Sequence, residues 1–232
     1  MSSIAIITAR GGSKRIPNKN IKEFCGKPII QYSIEAAQMA GIFDEIMVST
    51  DSPKIASVCK EFGVNIPFMR SEKNADDFAT TSDVLMEVLE QYEKQGKYFD
   101  NVCCIYPTAP FVTAEKLQKG MKILEENEYF DAVVPVVQFS FPPQRAFHIV
   151  DNEVNIIYPD TFQMRSQDFE PIYHDCGQYY CMKVDSFKNI RSLVLSHTFP
   201  IITSETEVQD IDTIDDWEIA EIKFKRMMEK MA

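Results

Sequence analysis

The chain has 232 residues and a formal net charge of -11, because 24 lysines and arginines face 35 aspartates and glutamates. This length can bury a full hydrophobic core, so we expect a single α/β domain over residues 1–232 with one insertion at about 138–175. The acidic balance disfavours nucleic acid as a partner. We also expect a cytoplasmic protein, since no run approaches the roughly 18 apolar residues of a membrane span and no signal core opens the chain.

Strand and helix patterns alternate along the chain. The first half predicts strands at 4–8, 45–50, 64–69 and 101–106. It also predicts helices from Pro28 to Gly41, from Ser52-Pro53 to Phe62, and at 80–95. The second half predicts a helix at 114–126, strands at 132–137 and 177–183, and a closing helix at 213–230. This order predicts a doubly wound, mostly parallel, Rossmann-like sheet.

Residues 138–175 interrupt the alternation with a polar, hairpin-like section. Structureless loops of this length are unusual in a compact domain. We therefore expect the section to cover the site as a lid, to contact another subunit, or both. In doubly wound sheets the ligand lies beyond the carboxyl ends of the strands. We therefore expect one edge of the sheet, called the rim below, to carry four features: the segment after the first strand, Asp51, the PTAP turn and residue 137.

A basic loop, residues 9–20 (ARGGSKRIPNKN), follows the first strand. Gly11 and Gly12 allow a sharp turn that aims backbone N–H groups at phosphate oxygens. The spacing matches neither GxxxxGK[ST] nor GxGxxG, and a solvated turn with ordinary surface lysines is the alternative. We interpret the loop as a polyphosphate site, formed by Arg10, Gly11, Gly12, Ser13, Lys14, Arg15 and Lys19.

An acidic pair, Asp210 and Asp212, lies near the end of the chain in VQDIDT. If this segment is a short strand, both carboxylates project from one face and can hold one Mg2+ together with phosphate oxygens. Alternatively, Asp212 or Thr213 caps the last helix, because TIDD resembles a capping box. Zinc is not expected, since the six cysteines form no CxxC and the three histidines are scattered.

Several segments together carry a family resemblance. IAIITARGGSKRIPNKN, CGKPIIQYSIEAA, IMVSTDS, PTAP and QDIDT resemble the cytidylyltransferases that activate nonulosonic acids, over nearly the whole chain. NADDFATT, CCIYPTAPF, FPPQRAF and RSQDFEPIYHDCGQYY look most like the members that use pseudaminic acid. The resemblance implies a cytidylyltransferase domain in which the anomeric hydroxyl of the acid attacks the α-phosphorus of CTP, giving a CMP-sugar and pyrophosphate.

The resemblance also implies roles for individual residues. Arg10 and Lys19 would contact the triphosphate and assist catalysis, with Ser13, Lys14 and the amides of Gly11 and Gly12 as further donors. Asn20, Arg70 and Thr81 would recognise the cytosine or its nucleotide frame, although Arg70 could form a surface ion pair and Thr81 a helix cap. Asp210 and Asp212 would hold Mg2+, which would activate the attacking hydroxyl; Asp212 as proton acceptor is the second choice.

Planar guanidinium groups bind a carboxylate through two hydrogen bonds, so Arg145 and Arg165 are the candidates for binding the carboxylate of the acceptor acid. Alternatively, these two arginines form salt bridges between subunits. His174, Gln178 and Tyr180 border the same section and could bind sugar hydroxyl or acyl groups. A structural histidine beside Asp175 is the alternative for His174. Relatives pair through such an insertion, so the resemblance implies a homodimer.

Other functions stay open at this stage. Sialate-activating relatives have an arginine-rich RPNG stretch and a glutamine before PTSP, where this chain has residues 174–177 (HDCG) and Tyr106. That difference weakens N-acetylneuraminic acid as the acceptor, and legionaminic acid is another candidate. A sugar-1-phosphate nucleotidyltransferase would need a longer glycine-rich loop. A regulatory module that binds CTP without turnover is the non-catalytic alternative.

Overall fold

The computed structural model describes residues 1–231. Its strands are β1 Ser3–Thr8, β2 Glu23–Phe24, β3 Lys27–Pro28, β4 Glu45–Ser49, β5 Asn101–Ile105, β6 Ala132–Gln138, β7 Phe147–Val150, β8 Glu153–Ile156, β9 Tyr173–Asp175, β10 Tyr179–Lys183 and β11 Thr198–Ile202. Its α-helices are α1 Ile29–Ala40, α2 Pro53–Glu61, α3 Thr81–Lys94, α4 Ala114–Glu126, α5 Pro159–Phe162, α6 Val184–Ile190 and α7 Ile214–Met231.

The central sheet has seven strands in the order β11-β6-β10-β5-β1-β4, with β9 paired to β6. β1 is parallel to β4 and β5, and β6 is parallel to β11, whereas β10 runs antiparallel to both β5 and β6. Five of the seven strands therefore point the same way, and β9 and β10 point the other way. The predicted doubly wound, mostly parallel sheet is confirmed.

Helices cover both faces of the sheet. α1, α2 and α4 pack on one face and α3 and α6 on the other, each over its own cluster of buried aliphatic side chains. Cys103 and Cys104 on β5 belong to opposite clusters, as expected for neighbours on a strand. α7 packs over the loop after β1, where Trp217 and Phe224 contact Phe24. This third cluster brings the end of the chain to the basic loop.

The predicted helix boundaries agree with the structure to within two residues, because local capping signals define them. The Ser52 hydroxyl accepts a bond from Ile55 N at the start of α2, and Gly41 ends α1 at φ 63°. At the start of α3, Thr80 and Asp83 form a reciprocal capping box.

Two predicted strands are absent. Residues 64–69 make one bridge, from Asn65 to Met47, since Pro67 has no N–H for a ladder. Residues 208–213 (VQDIDT) form a loop, because the N–H groups of Asp212 and Thr213 donate to the Asp216 carboxylate instead of a neighbouring strand. Neither α6 nor β11 was predicted from the sequence.

The section from 138 to 175 leaves the sheet at the end of β6 and returns through β9, which pairs with β6. It contains the antiparallel hairpin β7–β8, as the pattern predicted, and the short helix α5. Every residue of the two hairpin strands is exposed. Among residues 1–231, no helix combines the length and apolar character needed to cross a bilayer.

Candidate active site

The basic loop extends from β1 along the carboxyl edge of the sheet. Gly11 N donates to Asp51 Oδ1 at 2.8 Å, which joins the loop to the end of β4 as the rim argument predicts. A Cβ atom on Gly11 would lie 2.9 Å from Ser52 Cβ, so this close approach requires glycine. The buried Asn20 amide donates to the carbonyl of Arg10 at 2.8 Å and fixes the loop's return.

The cations of the loop line a pocket of about 470 Å3, a volume within the usual range for ligand sites. Its walls also include two carboxylates. Arg10 and Lys14 contact Asp77 at 2.9 and 2.5 Å, and Arg15 and Lys19 contact Asp212 at 2.9 and 3.4 Å. The full lining is Arg10, Ser13, Lys14, Arg15, Ile16, Lys19, Asp77 and Asp212.

Hydrogen bonds to the first turn of α7 fix the position of the acidic segment that contains Asp210 and Asp212. Thr213 and Asp216 form the reciprocal cap at this turn, with Thr213 Oγ1 accepting from Asp216 N at 3.2 Å. Thr213 is therefore the capping residue, and Asp212 faces the cations. Although the Asp210 side chain reaches solvent, surrounding protein desolvates it and Asp212 repels its charge, so its pKa is raised.

Arg70 and Thr81 flank the segment that carries Asp77. Arg70 is buried, and its guanidinium donates to Ser49 Oγ at 3.1 Å and to Ser49 O at 2.6 Å. This burial lowers its pKa, and the Asp51 charge opposes the shift. Arg70 is thus held inside the rim, where its guanidinium contacts Ser49 rather than a carboxylate at the surface. Thr81 Oγ1 lies 3.4 Å from Tyr106 OH, and its neighbour Thr80 is the residue that caps α3.

Three of the predicted acceptor residues lie around β9 and β10. Tyr180 is buried, donates to the Asp175 carboxylate and packs against Tyr106, with the ring centroids 5.5 Å apart. Gln178 is buried and donates to Glu207 O at 2.7 Å, while its side-chain oxygen has no hydrogen-bond partner among the residues that the structure describes. His174 is exposed and packs on Phe139, with its Nδ1 2.9 Å from Asp175 O.

The two predicted arginines lie in the inserted section. Arg145 donates to Met164 O at 2.7 Å and lines an apolar surface pocket of about 720 Å3. Arg165 forms a two-pronged ion pair with Asp168, at 2.9 and 3.2 Å. Neither arginine lines the pocket of the basic loop. Of the predicted nucleotide and metal residues, that pocket brings together Arg10, Ser13, Lys14, Lys19 and Asp212, whereas Asn20, Arg70, Thr81 and Asp210 do not line it.

The family model described as Cytidylyltransferase matches residues 4–221. The chain is a member of the cytidylyltransferase family. Over 227 residues this chain is 37% identical to the pseudaminic acid cytidylyltransferase of Campylobacter jejuni subsp. jejuni serotype O:2, with 97% of each chain covered. It is 33% identical to the CMP-N,N'-diacetyllegionaminic acid synthase of Legionella pneumophila, with 95% of each chain covered.

The fold of the cytidylyltransferase is also that of a solved CMP:2-keto-3-deoxy-manno-octonic acid synthetase complexed with CTP. The two structures match with a TM-score of 0.70 over the whole of both chains, at 18% sequence identity. At this identity the match concerns the fold. The predicted Rossmann-like nucleotidyltransferase architecture is therefore confirmed.

The donor set of the cytidylyltransferase suits one hard divalent cation. Within the described part of the chain, no three carboxylate, thiol or imidazole groups are placed to enclose a metal ion. Asp210 and Asp212 supply two carboxylates whose mutual repulsion a cation would relieve. Because Mg2+ accepts one or two carboxylates and completes its shell with water and phosphate oxygens, the pair fits a metal that arrives with a nucleotide.

The contact of Asp77 with the loop cations was not predicted from the sequence. The segment NADDFATT carries part of the family resemblance, but it shows no local pattern for this contact, because the two cations that Asp77 faces lie 63 and 67 residues away in the chain. The available signal was its place between Arg70 and Thr81, two residues that the resemblance had already assigned to the nucleotide.

Proposed function

We propose that this cytidylyltransferase transfers CMP from CTP to the anomeric hydroxyl of pseudaminic acid, giving CMP-pseudaminic acid and pyrophosphate. The observation that carries the proposal is the 37% identity to a pseudaminic acid cytidylyltransferase over 97% of both chains. The geometry supports it, because cations from the start of the chain and the Asp212 carboxylate from near its end meet around one pocket.

In this proposal the triphosphate binds along the basic loop. Arg10, Lys14 and Lys19 neutralise the negative charge of the phosphates and of the departing pyrophosphate. Transfer of a phosphoryl-type group needs little covalent chemistry from the protein, so positioning and charge neutralisation account for most of the rate enhancement. Asn20 contributes by fixing the Arg10 backbone, and Arg70 and Thr81 hold the nucleoside at the adjoining rim.

Asp210 and Asp212 would hold Mg2+. When bound, the ion supplies charge neutralisation at phosphate oxygens and lowers the pKa of a coordinated hydroxyl. The chain's own part is to hold Asp212 at the pocket and to keep the neighbouring Asp210 ionised. Lys19 contributes to this, because its charge lowers the pKa of Asp210 against the larger effects of desolvation and of Asp212. Asp212 remains the second candidate for accepting the hydroxyl proton.

The acceptor would lie toward β9 and β10. His174, Gln178 and Tyr180 would contact the sugar, with Arg145 and Arg165 as candidates for its carboxylate. The unpartnered oxygen of Gln178 is a buried acceptor that a donor group can satisfy. Legionaminic acid is the second candidate acceptor, favoured by the 33% identity to a legionaminic acid synthase.

A direct assay tests the proposal. Purified protein is incubated with CTP, Mg2+ and either pseudaminic, legionaminic or N-acetylneuraminic acid, and pyrophosphate release is measured. We expect the highest kcat/KM with pseudaminic acid, no release without an acceptor, and loss of release on chelation with recovery on adding Mg2+. Higher kcat/KM with another acid would refute the acceptor assignment, whereas CTP binding without release for any acid would favour the regulatory module.

We further propose a homodimer formed through residues 138–175, in the cytoplasm. The β7–β8 hairpin exposes Phe147, Ile149, Val154 and Ile156, a set of apolar side chains that a second copy would cover. Analytical ultracentrifugation tests this: the wild type should sediment as a dimer and Ile149→Asp as a monomer. A monomeric wild type at micromolar concentration would refute the assembly.

A further inference from the structure

The segment from 71 to 80 forms a loop beside the basic-loop pocket. Its base is anchored to α3, where Glu87 accepts from Ser71 N at 3.1 Å and from the Asn74 amide at 2.9 Å. Its tip reaches the basic loop, because Arg10 donates to Asp76 O at 2.7 Å and to Asp77 Oδ1 at 2.9 Å. The tip therefore depends on ionic contacts with the pocket.

The Asp77 carboxylate lies between two cations of the pocket. One oxygen accepts from Arg10 and the other from Lys14, at 2.9 and 2.5 Å. The bond from Lys14, its charge and then Arg10 lower the pKa of Asp77, so the group stays ionised at neutral pH. A carboxylate that bridges two cations imitates one phosphate group with its shared negative charge.

We propose that Asp77 is a built-in substitute for a phosphate of the substrate, which the triphosphate must displace from Arg10 and Lys14 in order to bind. The inference rests on the proposed function, because it takes these two cations as phosphate ligands. Asp77 thereby sets the affinity for CTP: it keeps the cations paired and in place before binding, and it competes with the nucleotide for them.

Few contacts other than the ion pairs hold the tip of the loop against the pocket. The Asp77 side chain is about half exposed, at 50%, and Phe78 beside it is 90% exposed, so little apolar contact opposes movement of the tip. Asp76 Oδ1 accepts from the N–H groups of Phe78 and Ala79 at 2.9 and 2.7 Å, which keeps the turn's shape when the ion pairs break. Because Arg70 and Thr81 flank this loop, its displacement occurs next to the residues that hold the nucleoside.

Calorimetric titration with CTP and with tripolyphosphate tests the proposal on the full chain. Asp77→Asn should bind both probes about three- to tenfold more tightly than the wild type, because exposed ion pairs of this kind oppose displacement only weakly. Asp77→Glu keeps the charge and should stay close to the wild type. Glu72→Gln removes the same charge from the same loop away from the cations, and should leave both affinities unchanged.

The outcomes separate this inference from the proposed function. Arg10→Ala tests the function itself: unchanged CTP binding in that variant would remove the loop from the nucleotide site. If Arg10→Ala weakens binding while Asp77→Asn binds CTP equally or less tightly than the wild type, Asp77 is no substitute phosphate and the inference falls. It also falls if Glu72→Gln tightens binding as much as Asp77→Asn.

Discussion

Lys19 connects the two ends of the chain at the pocket, and its replacement is the sharpest test of the site. Its ammonium donates to Ile211 O at 2.6 Å and lies 3.4 Å from Asp212 Oδ1, and 20% of its side chain is exposed. Lys19→Met keeps most of the side chain's length and apolar volume while removing the charge and the donor. The substitution therefore isolates the electrostatic contribution.

We expect Lys19→Met to lower both the stability of the fold and the rate of turnover, and to lower turnover more. A hydrogen bond from a charged donor contributes about 1.5–3 kcal/mol, so unfolding free energy should fall by about 2 kcal/mol and Tm by about 4–8 °C. The effect on turnover should be larger. Removing one preorganised donor from developing negative charge typically lowers kcat by a factor of about 100 to 1000, and we expect a kcat/KM loss in that range for CTP.

The assay is pyrophosphate release at 25 °C, where the variant remains folded, together with thermal unfolding followed by circular dichroism. Lys22→Met is the matched control, since the Lys22 ammonium lies 4.1 Å from the centre of the Trp217 ring on the same stretch of chain. This control should keep near wild-type turnover. If Lys19→Met retains kcat/KM within about threefold of the wild type, the assignment of the pocket to the triphosphate is wrong.

Three further changes test other parts of the structure. Asp210→Asn should abolish pyrophosphate release while CTP still binds in calorimetry, because it removes a proposed metal carboxylate and leaves the cations in place. Gly120→Ala should lower the unfolding free energy in urea by about 1 kcal/mol, because its Cβ would lie 3.1 Å from Cys181 Sγ in a packed core. Thr80→Ala should cost about 1 kcal/mol through loss of the α3 cap. Bonds from Thr80 to the Asp83 carboxylate lower the pKa of Asp83. The part of the stabilisation that these bonds supply is present above the unfolded pKa of about 3.9 and is lost as the pH falls through the lower folded value.

Each of these three predictions can be contradicted by one result. Normal turnover in Asp210→Asn would remove that carboxylate from the reaction. A Gly120→Ala variant at least as stable as the wild type would mean that helix propensity outweighs the crowding. A Thr80→Ala difference in Tm that is the same at pH 3 as at pH 7 would contradict the coupling of the cap to an ionised Asp83.

The sequence was informative where structure depends on neighbours in the chain. Gly41 and the Ser52-Pro53 pair determine helix ends through contacts within a few residues, and both predictions are confirmed. The strand predicted at 64–69 failed because a strand requires a partner with free ladder groups, and Pro67 limits what this segment offers. β11 was missed because its pairing with β6 depends on residues more than 60 positions away.

The same distinction holds for the site. The basic loop could be recognised from its local run of cations and glycines, and Asp210 and Asp212 from their spacing. The placement of Asp212 at the pocket of the basic loop depends on α7 packing through Trp217 onto Phe24, a contact between distant segments that composition does not encode. Residue roles came from the resemblance, and they stay predictions until variants are assayed.

The pairing of β9 with β6 makes the inserted section suitable for exchange by protein engineering. Gln138, where the inserted section leaves the sheet, is the register partner of Tyr173, where the chain re-enters it. Both junctions are therefore adjacent on one short ladder. We expect that a section of different length can be grafted between these two positions without a shift in β1, the strand that leads into the basic loop.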